Sequence, residues 1–169
     1  LATPPSGHMQ QIVAAAAAGK HVFCEKPFTF SRAEAQTAVD AIRKAGRTIG
    51  VGYNRRFHPE MAKLRAKIRT GELGVIQHVE CNMTFPNALF LQPTAWRAMK
   101  DEAPVGGLAP LGVHAVDAMI DLCGEFDHVY CQSFRRVLTG ETDDTSSMLF
   151  RMKAGMSGYL GTITTTGPG

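Results

Sequence analysis

The sequence predicts an α/β protein in two parts: a parallel α/β sheet, then an α+β domain with an open, mainly antiparallel sheet. In residues 1–52, helical patterns alternate with short apolar strand patterns across short loops, and this alternation is typical of a doubly wound parallel sheet. Further on, strand patterns follow one another directly at 129–137, 146–152 and 157–165, which indicates a sheet with its helices on one face. We therefore predict two domains, 1–52 and 53–169.

Composition excludes several functional classes. The 169 residues are 44% hydrophobic and 20% charged, as in ordinary globular proteins, and the net charge of +3 is spread along the chain, which argues against a nucleic-acid partner. No apolar run approaches the roughly 18 residues of a membrane span, and no secretory leader is recognised. Four cysteines without C-x-x-C spacing indicate reduced thiols in a reducing, cytoplasmic compartment: Cys24, Cys81, Cys123 and Cys131.

The first domain is predicted from helix caps and apolar periodicity. Ser6 is a plausible N-cap for a helix that runs to Ala18, and Gly19 follows at the position favoured after a helix. Ser31 and Glu34 form a capping box for a second helix that ends near 45–46. Short strands are predicted at 21–25 and 48–51. The edge strand at 21–24 would be available to pair with another chain.

The second domain begins with a helix bracketed by Pro59 and Gly71. A strand at 75–84, an irregular stretch at 85–104 and a helix at 108–122 follow. Lys153, Ala154 and Gly155 join the last two strands and suggest a hairpin turn between them.

Lys26 stands at a position where α/β proteins hold ligands. It follows the predicted strand at 21–25, and ligands of open α/β sheets bind outside the carboxyl ends of the strands. Pro27 restricts the backbone at this point and favours an extended Lys26 that points out of the sheet. The alternative is a surface lysine beside a turn.

Several segments in series resemble the Gfo/Idh/MocA oxidoreductases, the glucose-fructose oxidoreductase and inositol dehydrogenase group. They are ATPPSGHMQQIVAAAAAGKHVFCEKP, VGYNRRFHP, GELG and GGLAPLGVHAVDAMIDLCG, and the resemblance covers essentially the whole chain in order. It implies a Rossmann domain for NAD or NADP, represented here by its C-terminal part, and an α/β domain that supplies the substrate pocket. We expect a longer enzyme that moves hydride between nicotinamide and a sugar- or polyol-like alcohol or ketone.

The resemblance also implies cofactor contacts. Thr3, Pro4 and Pro5 match the family loop beside nicotinamide, although a rigid strand–helix loop would read the same way. Lys26 matches the catalytic lysine beside nicotinamide and substrate, and Glu25 is expected to orient it. Trp96 and Arg97 match a pair at the cofactor edge, although a lone tryptophan in a loop is also a packing anchor. No G-x-G-x-x-G occurs to hold the pyrophosphate, so the 169 residues alone are expected to show little catalysis.

Substrate contacts are implied for a second set of residues. Asn54 and Arg55 are expected to face the pocket, where a guanidinium can grip a hydroxyl-rich or acidic substrate; a salt bridge at the domain junction is the alternative, and is preferred for Arg56. His114 is the catalytic acid/base candidate. Asp117 lies three residues later on the same helical face and is expected to orient it.

One position departs from the family pattern. Many of these dehydrogenases carry an aspartate four residues before the histidine, and Pro110 stands there in this chain. The usual catalytic set is thus reduced to Lys26 and His114, which suggests another substrate or an altered proton relay.

The remaining features concern partners. The other histidines are interpreted as structural, with no ligand spacing and no predicted metal: His8, His21, His58, His78 and His128. A homo-oligomer through the open sheet of the second domain is expected. The alternative to an enzyme is a truncated binding or oligomerisation module, and the ending at Gly167-Pro168-Gly169 is expected to be short for the family.

Overall fold

A computed structural model describes residues 1–167, and its chain divides into two compact units. Unit 1 is Leu1–Tyr53 and unit 2 is Asn54–Gly169. Pro168 and Gly169, the last residues of the predicted short ending, lie outside the described residues. The predicted α/β class is confirmed, with a short parallel sheet in unit 1 and a mixed sheet in unit 2.

Unit 1 alternates helix and strand, and its two helices contribute to one hydrophobic core. Its elements are α1 (His8–Ala17), β1 (Val22–Cys24), α2 (Arg32–Lys44) and β2 (Ile49–Val51). The two strands pair in parallel, with Phe23 opposite Gly50. Alternate residues of β1 point inward and join apolar residues of the two helices in the core: Ile12, Ala16, Val22, Cys24, Ala38 and Ile42.

The caps of α2 follow the sequence, whereas the start of α1 does not. The Ser31 side chain accepts a hydrogen bond from the Glu34 amide at 3.2 Å, and Glu34 accepts one from Phe30, the residue before the cap. The prediction of Ser6 as a helix N-cap is wrong. Pro5 starts a single 3-10 turn, Pro5–Gly7, so Ser6 lies inside that turn and α1 begins two residues later.

Unit 2 is built from two helices and four strands. The elements are α3 (Pro59–Arg69), β3 (His78–Thr84), α4 (Gly112–Cys123), β4 (Phe126–Phe134), β5 (Thr145–Met152) and β6 (Ser157–Ile163). The sheet order is β3-β6-β5-β4. Strands β3 and β6 are parallel, and the other two pairs are antiparallel.

Several boundaries in unit 2 differ from the prediction: β3 begins at His78 rather than 75, β4 begins at Phe126 rather than 129, and β6 ends at Ile163 rather than 165. Two further differences have a physical reason in the structure. Helix α4 starts at Gly112 rather than near 108, because residues Gly106–Leu108 form a separate 3-10 turn. Strand β4 ends at Phe134 rather than 137, because the next amides turn inward to hydrogen-bond the carboxylate of Asp144.

The core of unit 2 is rich in methionine and lies between α4 and one face of the sheet. Its buried members are Met83, Ala115, Met119, Met148, Phe150, Met152 and Leu160. Residues that alternate with them along the strands point to the opposite face, where Tyr130 and Leu149 are 65% and 57% exposed. The sheet of unit 2 is therefore covered on one side only.

Candidate functional site

In unit 1, three chain segments meet at one edge of the parallel sheet: the start of the chain and the residues that follow β1 and β2. The Glu25 amide donates to the Leu1 carbonyl at 2.9 Å, which places the start of the chain beside β1. On the other side, the Gly52 amide donates to the Cys24 carbonyl at 2.8 Å. The carboxyl end of β1 therefore lies beside the segment that leads into Thr3. We call Thr3, Pro4, Pro5, Glu25 and Lys26 the Lys26 edge.

Side chains fix the backbone at the Lys26 edge. The Glu25 carboxylate accepts a hydrogen bond from the Lys26 amide at 3.2 Å. It also lies against Gly52, where an added Cβ atom would be 3.2 Å from Glu25 Oε1. The Thr3 hydroxyl donates to Gln11 of α1 at 2.8 Å. Lys26 itself is half-buried, and a cis peptide bond joins it to Pro27.

Unit 2 contains a cavity of about 630 Å³ beside α4. It lies between the 3-10 turn Asn54–Phe57, the first turn of α3, β3 and α4. We call it the α4 cavity. Its polar lining consists of Asn54, Arg55, His58, Glu60 and His114, with the thiol of Cys81. Three of the four predicted substrate residues are thus brought together, and all three belong to unit 2.

The groups in the α4 cavity differ in burial. Asn54 and Arg55 are exposed, whereas His114 is half-buried on the helical face that also carries Ala118. Burial raises the pKa of the Cys81 thiol, although the positive charge of Arg55 opposes this change. The thiol therefore stays protonated at neutral pH.

The fourth predicted residue, Asp117, is engaged in an ion-pair network. Both of its oxygens accept hydrogen bonds from Arg56 at 2.7 to 3.0 Å, and Asp117 is only 8% exposed. Arg56 also donates to Asp121 at 3.2 Å, and Arg65 binds the second oxygen of Asp121. The hydrogen bond from Arg65 lowers the pKa of Asp121, against the effect of burial and with help from Arg56. The network ties α4 to the turn that carries Asn54 and Arg55.

Trp96 and Arg97 lie together elsewhere in unit 2. They form the start of a 3-10 turn, Trp96–Ala98, and the Arg97 guanidinium stacks over the Trp96 ring at 4.1 Å. Neither residue lines the α4 cavity. Both their role at a cofactor and the alternative of a packing anchor stay predictions.

Three of the histidines interpreted as structural have side-chain contacts near the strands of the two sheets. His21 accepts a hydrogen bond from the Thr48 amide, His78 lies between Ser157 and Glu80, and His128 contacts Asp127 and Arg151. Among residues 1–167, no group of three or more His, Cys, Asp or Glu side chains is arranged to hold a metal ion. Within the same range, the helices are too short or too polar to cross a membrane.

Sequence reasoning missed two polar residues of the α4 cavity, His58 and Glu60. They flank Pro59, the first residue of α3, and Glu60 lies in the first turn of that helix. The sequence did carry a usable signal. The Pro59 start signal places both residues at the helix end nearest to Asn54 along the chain.

Both units of the chain match known protein families. Residues 1–53 match a family described as an oxidoreductase family with an NAD-binding Rossmann fold. Residues 61–169 match the GFO/IDH/MocA C-terminal domain. The two matches cover both units, so the class is that of NAD-binding oxidoreductases. The chain belongs to the Gfo/Idh/MocA family.

Individual relatives agree with this assignment. The chain is 32% identical over 134 residues to levoglucosan dehydrogenase from Pseudarthrobacter phenanthrenivorans, covering 76% of this chain and 33% of that enzyme. The aldose-aldose oxidoreductase of Caulobacter crescentus superposes with a TM-score of 0.89 and 28% identity, covering 97% of this chain and 49% of that one. The WlbA dehydrogenase of Bordetella pertussis, in complex with NADH and UDP-GlcNAcA, gives a TM-score of 0.90 at 26% identity, with 99% and 49% covered. The chain thus spans half or less of the length of these relatives.

The residues of unit 1 suit one end of the family's cofactor. The Lys26 edge offers a cation, a carboxylate and a hydroxyl beside exposed backbone, which match the polar groups of nicotinamide and its ribose. The Gly-rich turn that would hold the pyrophosphate does not occur in the 169 residues. The fit of these residues therefore concerns the nicotinamide end alone.

Proposed function

We propose that this chain contributes the nicotinamide-facing and substrate-facing residues of an NAD(P)-dependent oxidoreductase that acts on a sugar- or polyol-like alcohol or ketone. The observation that carries the proposal is the Lys26 edge. A lysine at the carboxyl end of a parallel strand, beside a second rigid segment, has the placement at which open α/β sheets bind ligands. When bound, the nicotinamide ring would supply or accept the hydride.

Lys26 has the chemistry for the reacting oxygen. An ammonium group that donates to an alcohol or carbonyl oxygen stabilises the negative charge that develops there during hydride transfer. Glu25 contributes by holding the Lys26 backbone, since its carboxylate accepts from the Lys26 amide. Thr3, Pro4 and Pro5 would form the neighbouring wall.

The α4 cavity has the chemistry for a hydroxyl-rich substrate. Asn54 can donate and accept hydrogen bonds, and Arg55 offers a forked set of donors. His114 would take or return the hydroxyl proton, because an imidazole exchanges protons near neutral pH. Asp117 would act on this site through Arg56, which it binds with both oxygens.

A titration with NADH and NADPH tests the cofactor half of the proposal. Nicotinamide fluorescence should change with a dissociation constant in the micromolar range if the Lys26 edge forms a working half-site. Lys26→Ala should weaken binding by about tenfold, since it removes a charged donor. The matched control is Lys20→Ala, an exposed lysine before the amino end of β1, and it should leave binding unchanged.

The substrate half is tested with sugar and polyol probes. Amide NMR shifts of residues lining the α4 cavity should move on addition of the ligand, and His114→Gln should remove the effect while His128→Gln, on exposed β4, should not.

If the chain binds no dinucleotide at millimolar concentration, these 169 residues do not form the nicotinamide half-site.

A second candidate function is self-association through the open face of the unit 2 sheet. Tyr130 pairs across the strands with Leu149, which pairs with Tyr159, so these residues form one apolar row on the uncovered face. Phe134 and Ile163 lie on the same face and are 50% and 39% exposed. Apolar surface of this kind on a sheet favours burial against a second copy.

Light scattering tests this candidate. Leu149→Lys should shift an oligomer toward monomer, because it places a charge in the middle of the apolar row. Val137→Lys is the matched control, since Val137 is equally exposed, at 59% against 57%, but follows β4 in a loop. A wild-type monomer at millimolar concentration would reject the candidate.

A further inference from the structure

His8 is a polar side chain that is fully buried in unit 1. It is the first residue of α1 and is 0% exposed. Its Nε2 atom lies 3.1 Å from the Thr3 carbonyl, and its Nδ1 atom lies 3.0 Å from the Pro27 carbonyl and 3.2 Å from the Phe28 carbonyl. A buried ring nitrogen without partners would be costly, so these contacts explain why a histidine is tolerated there.

The three carbonyls belong to the two segments of the Lys26 edge. Thr3 opens the Thr-Pro-Pro segment, and Pro27 and Phe28 directly follow Lys26. The imidazole ring lies between the two segments, with Nε2 facing the Thr3 carbonyl and Nδ1 facing the carbonyls after Lys26. Carbonyl oxygens only accept, so each ring nitrogen donates to its segment when it carries a proton.

Other contacts hold the ends of the Lys26 loop. The Glu25 amide fixes its beginning to Leu1, and the Phe30 amide fixes its far end to Glu34 of α2. His8 acts on the middle of the loop, immediately after the lysine. The Glu25 carboxylate holds the Lys26 amide, and His8 adds a contact with the carbonyls that follow the lysine.

We propose that His8 is a positioning residue, which sets the place of Lys26 relative to Thr3 and thereby the affinity of the Lys26 edge for nicotinamide. The inference rests on the proposed function, because it takes the Lys26 edge as the nicotinamide site. If His8 has this role, its replacement should change both the order of the two segments and the affinity for NADH.

The test compares His8→Phe with His21→Phe in the 169-residue chain. Phenylalanine keeps the ring volume of His8 and removes both nitrogens. His21→Phe makes the same change before the amino end of β1, where His21 is exposed and accepts from the Thr48 amide. Amide hydrogen exchange of residues 2–7 and 25–30 reports on the two segments, and NADH fluorescence reports on binding.

In His8→Phe we expect exchange in both segments to rise by about tenfold or more and NADH affinity to fall by about tenfold, with exchange in the middle of α1 and α2 unchanged. In His21→Phe both quantities should stay within about twofold of wild type. His8→Gln, which keeps an N–H donor, should recover part of both effects, and it decides the matter if His8→Phe does not fold.

The outcomes separate the two proposals. If wild type binds NADH and His8→Phe binds it equally well, the positioning role is wrong and the proposed function stands. If exchange rises in the two segments but the NADH affinity is unchanged, His8 is a structural brace and the inference is wrong. If wild type itself binds no NADH, the proposed function fails for this chain, and the role of His8 toward nicotinamide fails with it.

Discussion

Replacing either partner of the Arg56–Asp117 ion pair should destabilise unit 2 by unequal amounts. Arg56→Met leaves the Asp117 carboxylate, with a side chain only 9% exposed, without the guanidinium that binds both of its oxygens. Removing one partner of a buried pair costs about 3 to 5 kcal/mol, and the 36% exposure of the Arg56 side chain points to the lower end, about 3 kcal/mol. Asp117→Leu should cost less, about 1 to 2 kcal/mol, because Arg56 still reaches Asp121 at 3.2 Å.

The chain has a single tryptophan, Trp96, and it lies in unit 2, so its fluorescence during urea unfolding reports on that unit alone. The double variant should lie close to Asp117→Leu, which corresponds to a coupling energy of about 3 kcal/mol, the full cost of Arg56→Met. Arg69→Met, at an exposed arginine that ends α3, is the control and should change stability by less than about 0.5 kcal/mol. Equal costs for the two single variants, or additive costs in the double variant, would refute the reasoning.

Three further predictions use the same fluorescence assay. Burial would raise the pKa of Asp144, but hydrogen bonds from the amides of residues 136–138 outweigh this effect and lower the pKa, so Asp144→Asn should cost about 2 kcal/mol at pH 7. Because the pKa is lowered in the folded state, the stability difference between wild type and variant should be complete above the unfolded-state pKa and should shrink as the pH falls through the folded-state pKa. A stability difference that grew in acid would contradict this. Thr162→Val should keep or raise stability, by up to about 1 kcal/mol, because the buried Thr162 hydroxyl has no hydrogen-bond partner among residues 1–167; a clear loss would contradict this. Gly106→Ala should lower the free energy of unfolding by about 3 kcal/mol or more, because its Cβ atom would lie 1.9 Å from the Asp143 carbonyl oxygen and because the φ of +52° at this position favours glycine. Gly140→Ala is the control, and it should be nearly neutral because no atom lies within 4 Å of the added Cβ atom.

Local signals in the sequence predicted the parts of the fold that depend on neighbours along the chain. Ser31 and Glu34 cap α2 as expected, and Gly46, just past the end of that helix, has a φ of +62°. The antiparallel pairing of β5 and β6 also follows from a turn signal between adjacent strands. Each of these features is fixed by residues within a few positions of one another, which is the range over which caps and turns act.

Features that depend on distant residues could not be predicted in this way. Arg56 and Asp117 are 61 residues apart, and nothing in the local pattern of either residue specifies the other. The role of His8 depends on carbonyls that are 5, 19 and 20 residues away, and carbonyl groups carry no sequence signature. For the same reason, the family resemblance could nominate Asn54, Arg55 and His114, but their shared cavity required the structure.

The position of His114 within unit 2 is set by anchors at both ends of α4. Before the helix, Gly106 packs so closely that an added Cβ atom would lie 1.9 Å from the Asp143 carbonyl oxygen, so this approach requires glycine. At Gly112, the first residue of α4, an added Cβ atom would lie 2.5 Å from the Leu108 side chain. Beyond His114, the helix carries Asp117 and Asp121, which are bound by guanidinium groups from residues 56 and 65. Close packing at its start and ion pairs farther along restrict the rotation of the helix. This arrangement supports the proposed acid or base role of His114, because such a group has to be positioned before the substrate arrives.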